Sequence, residues 1–519
     1  MDTVRTTRAG RREWIGLAVI ALPCLLYSMD LTVLNLAVPR LSADLKPSAT
    51  QLLWIVDIYG FLVAGSLITM GTLGDRIGRR RLLLIGAAAF GVASVLAAFS
   101  TSAEMLIVTR ALLGVAGATL APSTLSLIRN MFLDPEQRTV AIGVWVTSFS
   151  VGAAIGPLLG GIMLEYFWWG SVFLLGVPVM ALLLAVGPRL LPEYRDPQAG
   201  RLDLPSAALS LASVLLVIYA LKRIAEDGLG WVPAASIMIG LALGIQFVRR
   251  QRTLADPLID LGLFRVPAFS VSLAAYMLAC FVGFGAYVFT AQYLQLVLGL
   301  SPLEAGLWTV PSMAAYVAGS ILVPALARRF RPAYVMGAGL VFAAAGFGVL
   351  TQVGASGGLA AVVVGSVIYS LGICPAIILS TDLVVGSAPV ERAGAASAIS
   401  ETSAELGGAL GIAILGSIGA AVYRSTMAGA VPTGVSPEAA EAARATLGGA
   451  VAAAERLPDG LGAALLIPAR EAFTDGMQLA IAICAATVAA TAPVVAALLR
   501  RVGPPHSDKA VTASVRKEG

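Results

Sequence analysis

Runs of about 20 apolar residues, the length that crosses a hydrocarbon core as a helix, recur along the whole chain between short polar stretches. They fall near 14–38, 50–72, 82–100, 104–128, 139–163, 169–191, 204–222, 231–248, 268–292, 305–327, 333–352, 358–382, 393–422 and 476–499. The pattern predicts about fourteen transmembrane helices and an all-α integral membrane protein. Composition agrees, with 58% hydrophobic and only 13% charged residues and a mean hydropathy of +0.86, far from soluble globular usage. Most of the 35 lysines and arginines fall in alternate loops. Placing those loops and both termini on the cytoplasmic side satisfies the positive-inside rule, so the net charge of +5 reads as topology and not as a nucleic-acid surface. The basic segment before Trp14 precedes an apolar run that is too long for a cleaved signal and contains Asp30, so it is read as retained.

A repeat organises the chain. Shifted by 254 residues, Trp54, Val63-Ala64-Gly65-Ser66 and Arg138 fall on Trp308, Val317-Ala318-Gly319-Ser320 and Arg392. Transporters are commonly built from such halves with the substrate site between them. The offset exceeds six spans, and the excess fits two inserted helices. The expected organisation is a six-helix half over 1–200, two inserted helices over 201–252, and a second six-helix half over 253–519.

Four carboxylates, Asp30, Asp57, Glu401 and Glu405, interrupt these apolar runs. An ionised carboxylate at the bilayer centre costs about 2.5 to 3.5 kcal/mol on insertion scales, so such groups usually face a protein-lined cavity and mark an ion or substrate path. The shift places Phe284, Pro311 and Val364 opposite Asp30, Asp57 and Arg110, and Thr147 opposite Glu401. Scaffold residues recur while intramembrane charges do not, which points to function. Other chemistry finds no foothold. Cys24, Cys280, Cys374 and Cys484 lie in separate spans and His506 in the polar tail, so no metal site or Cys/His nucleophile can be assembled. The lysines, Lys46, Lys222, Lys509 and Lys517, sit in no phosphate-binding loop, which excludes ATP as the driver within this chain. The charges are too dispersed for an intramembrane enzyme.

The loop after the second span reads Gly71-Thr72-Leu73-Gly74-Asp75-Arg76-Ile77-Gly78-Arg79-Arg80-Arg81. It resembles the loop signature of the major facilitator superfamily, which implies a conformational latch made by Gly71, Asp75, Arg76, Gly78 and Arg79. The counterpart Ala327-Arg328-Arg329-Phe330-Arg331 is degraded and lacks the Asp. Arg110, in Val108-Thr109-Arg110-Ala111, is similar to the family's fourth-helix motif, and a guanidinium there needs a carboxylate, carbonyl or water partner. Span five holds Gly152, Gly156, Pro157, Gly160 and Gly161. The small residues allow close helix contact and Pro157 removes a donor and bends the span; the pattern resembles the antiporter motif found in exporters.

Met29-Asp30-Leu31-Thr32 and Trp54-Ile55-Val56-Asp57-Ile58-Tyr59 resemble the fourteen-span drug:proton antiporters, in the branch that exports quaternary ammonium compounds and cationic dyes. The resemblance runs from Trp14 to Arg500. One departure is that Thr309 to Leu326 has no acid, where members of the branch can carry one. The resemblance implies a proton-coupled multidrug efflux antiporter of lipophilic cations, conferring drug resistance in the bacterial inner membrane. It implies no cofactor beyond the proton gradient, no enzymatic activity and a monomer. Asp30, Asp57, Glu401, Glu405 and Arg110 then serve proton coupling or cation recognition. The chemistry is compatible: Glu401 and Glu405, spaced i,i+4, share a helix face, and each disfavours the other's ionised form in a low dielectric. Trp54, Tyr59, Trp145, Phe149, Phe281 and Phe284 could supply cation–π surface of about 0.5 to 2 kcal/mol each. An outer helical hairpin is expected over about 424–475, opened by Ser436-Pro437-Glu438. The remaining alternatives are an exporter of one antibiotic or metabolite, and a proton symporter or importer of the same fold.

Overall fold

The computed structural model describes residues 8–47, 49–195, 203–227, 230–254, 257–355, 357–389 and 392–502. A first set of helices comprises α1 (Arg11–Leu45), α2 (Ala49–Ile77), α3 (Arg79–Ala98), α4 (Ala103–Gly117), α5 (Leu120–Met131), α6 (Pro135–Tyr166), α7 (Ser171–Leu174) and α8 (Gly176–Leu190). Next come α9 (Leu204–Asp227) and α10 (Trp231–Gln251). The second set is α11 (Pro267–Gln292), α12 (Pro302–Arg329), α13 (Pro332–Leu350), α14 (Leu359–Ser387), α15 (Ala393–Met427), α16 (Pro437–Ala445), α17 (Leu447–Ala454) and α18 (Asp459–Leu498). Thirteen stretches among the described residues are long and apolar enough to cross a membrane. The 32-residue α6, packed along α1, supplies a fourteenth, as the hydropathy pattern predicts.

The repeat is visible in the packing. The α1–α6 pair has its counterpart in α11–α15, and the sets meet along two related seams, α2 against α15 and α12 against α6. On the first seam Gly71 is required, because a Cβ there would stand 2.5 Å from the Ala398 Cβ and 2.6 Å from the Gly394 carbonyl oxygen. Helix α9 lies over this seam alone, touching both α2 and α15 with Val214 and Ile218 packed on Phe61 and Ala64. Its base is tied down polarly. Arg250 donates to both Asp203 oxygens at 2.7 and 2.9 Å, and Gln251 bridges Ser206 to the Leu258 amide.

One sequence expectation gains detail and another needs correction. The apolar run 104–128 is a single membrane-length stretch, Ala103–Met131, interrupted between α4 and α5 because Pro122 cannot donate to the carbonyl four residues back and the helix restarts at Leu120. The outer segment is not a free hairpin to residue 475. Only the short α16 and α17 form one, anchored by the Tyr423 hydroxyl donating to the Ala443 carbonyl at 2.7 Å. The apolar stretch after Pro458 continues without a break into the last span as the 40-residue α18.

Candidate functional site

Arg110 is buried, 1% exposed, on α4, whose start is fixed by the Ser102 side chain accepting the Met105 amide. Its Nη1 donates to Asp30 Oδ2 at 2.7 Å. Nε and Nη2 donate to the Ile55 and Val56 carbonyls of α2 at 3.0 and 3.4 Å. The rings of Tyr59 and Phe173 flank the guanidinium at 5.0 and 5.9 Å. The sequence required a partner for this cation, and the fold supplies Asp30. Asp57, half-buried, stands next to the α2 carbonyls that Arg110 holds.

Glu401 and Glu405 lie a turn apart on α15, both partly buried. Each meets a phenol. The Tyr276 hydroxyl of α11 reaches Glu401 Oε1 at 3.5 Å, and the Tyr27 hydroxyl, on α1 of the first set, donates to Glu405 Oε1 at 3.2 Å. Tyr27 packs edge-on against Phe149 at 5.6 Å and beside Tyr59 at 6.1 Å. Asp30, Arg110, Tyr59, Tyr27, Glu405 and Glu401 thus form one continuous group across the interface between the sets.

The expected cavity aromatics divide. Trp54 is 40% exposed and Phe284 53%, Phe284 lying over Gly408 of α15, while Phe149 and Phe281 are half-buried. Tyr59 and Trp145 are not cavity surface, being 0% and 1% exposed. The Trp145 indole is committed to the Thr124 hydroxyl at 2.9 Å, and Tyr59 is covered by Arg110.

At the loop end the sets are fastened together. Asp75 Oδ2 accepts the Ala395 amide, in the first turn of α15, at 3.1 Å, placing a carboxylate at a positive helix terminus. Arg79 pairs with Asp75 and donates to the Gly71 carbonyl at 2.7 Å. Gly78 takes φ 112°, a left-handed conformation that disfavours side chains. Arg76 occupies the last turn of α2. Two further contacts were not foreseen. Asp382 of α14 accepts from Arg138 Nε at 2.6 Å and from the Thr139 hydroxyl at 2.7 Å, both on α6. Arg328 of the degraded loop stands 3.3 Å from Glu136 in the first turn of α6. The second copy of the loop therefore still reaches across, with reversed polarity: an arginine meets an acid where the first copy offers an acid to a helix N-terminus.

In the glycine-rich stretch of α6, a Cβ on Gly152 would clash with the Leu25 carbonyl, and one on Gly160 would stand 2.9 Å from Val33. Gly156 is buried. Gly161 is no packing position, since a Cβ there would meet nothing within 4 Å. The side chain of Pro157 lies outside the described residues.

A family model described as Major Facilitator Superfamily matches residues 20–412. The chain belongs to that superfamily. It is 47% identical to the multidrug efflux pump LfrA of Mycolicibacterium smegmatis, over 96% of this chain and 99% of that one. It is 38% identical to the methyl viologen resistance protein SmvA of Salmonella typhimurium, over 89% and 93%. The crystal structure of the human organic anion transporter MFSD10 superposes with a TM-score of 0.59 at 17% identity, covering 92% of this chain and 99% of that one, a likeness of fold alone. This superfamily member is therefore a multi-pass membrane transporter whose relatives include a multidrug efflux pump and a methyl viologen resistance protein.

Within this fold, sequence reasoning missed Asp382 and the two tyrosines. Asp382 carried a usable signal, an acid at the end of an apolar run. Tyr27 and Tyr276 did not, because a tyrosine in a span is ordinarily packing.

Proposed function

We propose that the protein is a proton-coupled exporter of lipophilic organic cations, acting as a monomer in the bacterial cytoplasmic membrane with its termini and the Gly71–Arg81 loop on the cytoplasmic side. The observation that carries this reading is the Glu401–Glu405 face of α15, bridged to the first set through Tyr27, which leads through Tyr59 to the ion-paired Asp30 and Arg110. Two carboxyl groups in a low dielectric are stable either protonated or with a cation beside them. A proton and a lipophilic cation then compete for one site. Loading the cation from the inside expels protons there; protons arriving from the outside displace the cation. The Asp75, Asp382 and Glu136 contacts fasten the loop end, and in this reading that arrangement is the one that releases the cation to the outside. In this reading Trp54, Phe149, Phe281 and Phe284 supply apolar and cation–π surface to the cation, and no cofactor takes part. Ethidium efflux from proteoliposomes under an imposed pH gradient tests the proposal. Wild type should pump, and Glu401→Gln and Glu405→Gln should each lower gradient-driven flux at least tenfold. Undiminished pumping by both variants would overturn the assignment.

A further inference from the structure

Tyr27 lies three residues before Asp30 on α1, yet its hydroxyl leaves the first set and donates to Glu405 of the second at 3.2 Å. The ring is nearly buried, 8% exposed, and Phe149 and Tyr59 hold it from two sides. Tyr59 in turn lies under Arg110, which holds Asp30. The phenol therefore has little freedom to follow α15 if the sets rock apart. The same rocking must break the Asp75, Asp382 and Glu136 contacts at the loop end.

A hydrogen bond to an ionised carboxylate is roughly twice as strong as one to its neutral form. The Tyr27–Glu405 contact is thus tight when Glu405 is charged and loose when it carries a proton. We propose that Tyr27 is a positioning residue that makes the return of the empty transporter conditional on protonation. Once the cation has left and Glu405 is ionised, the bond holds the sets closed at the loop end; a proton on Glu405 weakens it and the sets reopen to the cytoplasm. This rests on the proton-antiport reading above and adds to it the element that prevents slippage. Among the described residues, the groups facing the pair include Glu401 on α15, Tyr276 and Cys280 from α11, and Tyr59 from α2, with Cys24 facing Glu401 and with Asp30 and Arg110 behind Tyr59. Phenols and thiols are neutral near pH 7, so Glu401 is a neighbour whose charge changes together with that of Glu405.

Tyr27→Phe removes only the hydroxyl and keeps both ring contacts. Wild type and variant are compared in proteoliposomes for ethidium flux and proton counterflow together. A second measurement follows the labelling of a cysteine at buried Ser380, near Asp382 on α14, between pH 6 and 8. If wild type itself moves no protons with the dye, the antiport reading fails. If wild type is coupled, Tyr27→Phe should keep downhill dye flux while its proton-to-dye ratio falls. Its loop-end labelling, divided at each pH by that of the unfolded protein so that thiol ionisation cancels, should be about fivefold faster at pH 8 and nearly independent of pH, whereas the same wild-type ratio rises as pH falls. A variant with the wild-type ratio and pH profile overturns the role of Tyr27. So does one that has lost dye flux but keeps the wild-type labelling profile, because that is the behaviour of a residue that only packs the site.

Discussion

Asp382→Asn should open the loop end. The carboxylate joins α14 to α6 through Arg138 at 2.6 Å and Thr139 at 2.7 Å, and the ion pair is only 13% and 12% exposed on its two sides. An asparagine keeps one oxygen for Arg138 but presents an amide N–H where Thr139 now donates, so the Thr139 hydroxyl must turn to its other acceptor, the Pro135 carbonyl, and the guanidinium charge is left unmatched. Hydrogen bonds to charged groups contribute about 1.5 to 3 kcal/mol. A loss of about 2 kcal/mol from the closed arrangement alone corresponds to about a 30-fold shift in the equilibrium between closed and open. The assay uses a background in which the native cysteines, all buried and free of disulfides, are replaced, with a single cysteine at Ser380. A membrane-impermeant thiol reagent applied from the loop side should label the variant about 30 times faster than its parent. Arg138→Gln should have a similar effect, and the double variant should add little, because both changes break one contact. Labelling within twofold of the parent, or full additivity of the two changes, would refute the idea that this pair holds the sets together.

Asp75→Asn should raise loop-end labelling in the same assay and also lower thermal stability in detergent, since it leaves fully buried Arg79 without its carboxylate, and breaking a buried pair typically costs about 3 to 5 kcal/mol; an unchanged melting temperature would count against the burial argument. Gly152→Val should lower the melting temperature by several degrees through the clash with the Leu25 carbonyl, whereas Gly161→Val, with open space around it, should not; equal effects would contradict the packing. Asp203→Asn should loosen the α9–α10 base by an amount that stays constant from pH 5 to 8. The hydrogen bond from Arg250 and that from Ser206 hold the Asp203 carboxyl down at about 2, so its contribution is complete above the ordinary carboxylate range and is lost only as pH falls through about 4 to 2; a difference in melting temperature that changes between pH 5 and 8 would refute this.

The sequence by itself determined the membrane class, the approximate helix count and which residues stand out within the spans. Hydropathy runs and loop charges are local properties, and the cost of a charge in hydrocarbon makes Asp30, Asp57, Arg110, Glu401 and Glu405 conspicuous wherever they later come to rest. The loop from Gly71 to Arg81 was legible for the same reason, since its glycines and its Asp act within a few residues. Pairing was decided only by the tertiary structure. Arg110 could have taken Asp30 or Asp57, and the packing of α4 on α2 turned the Ile55 and Val56 carbonyls towards the guanidinium while its Nη1 reached Asp30 on α1. Asp382 and Arg138 are 244 residues apart, and Tyr27 and Glu405 are 378 apart; no periodicity reports a contact made between helices. Exposure was equally a matter of packing. Trp145 and Tyr59 carry the same chemistry as Trp54 and Phe149 in sequence, but neighbours from α4 and α5 cover the first two, and only the folded interface decides which ring a ligand can reach.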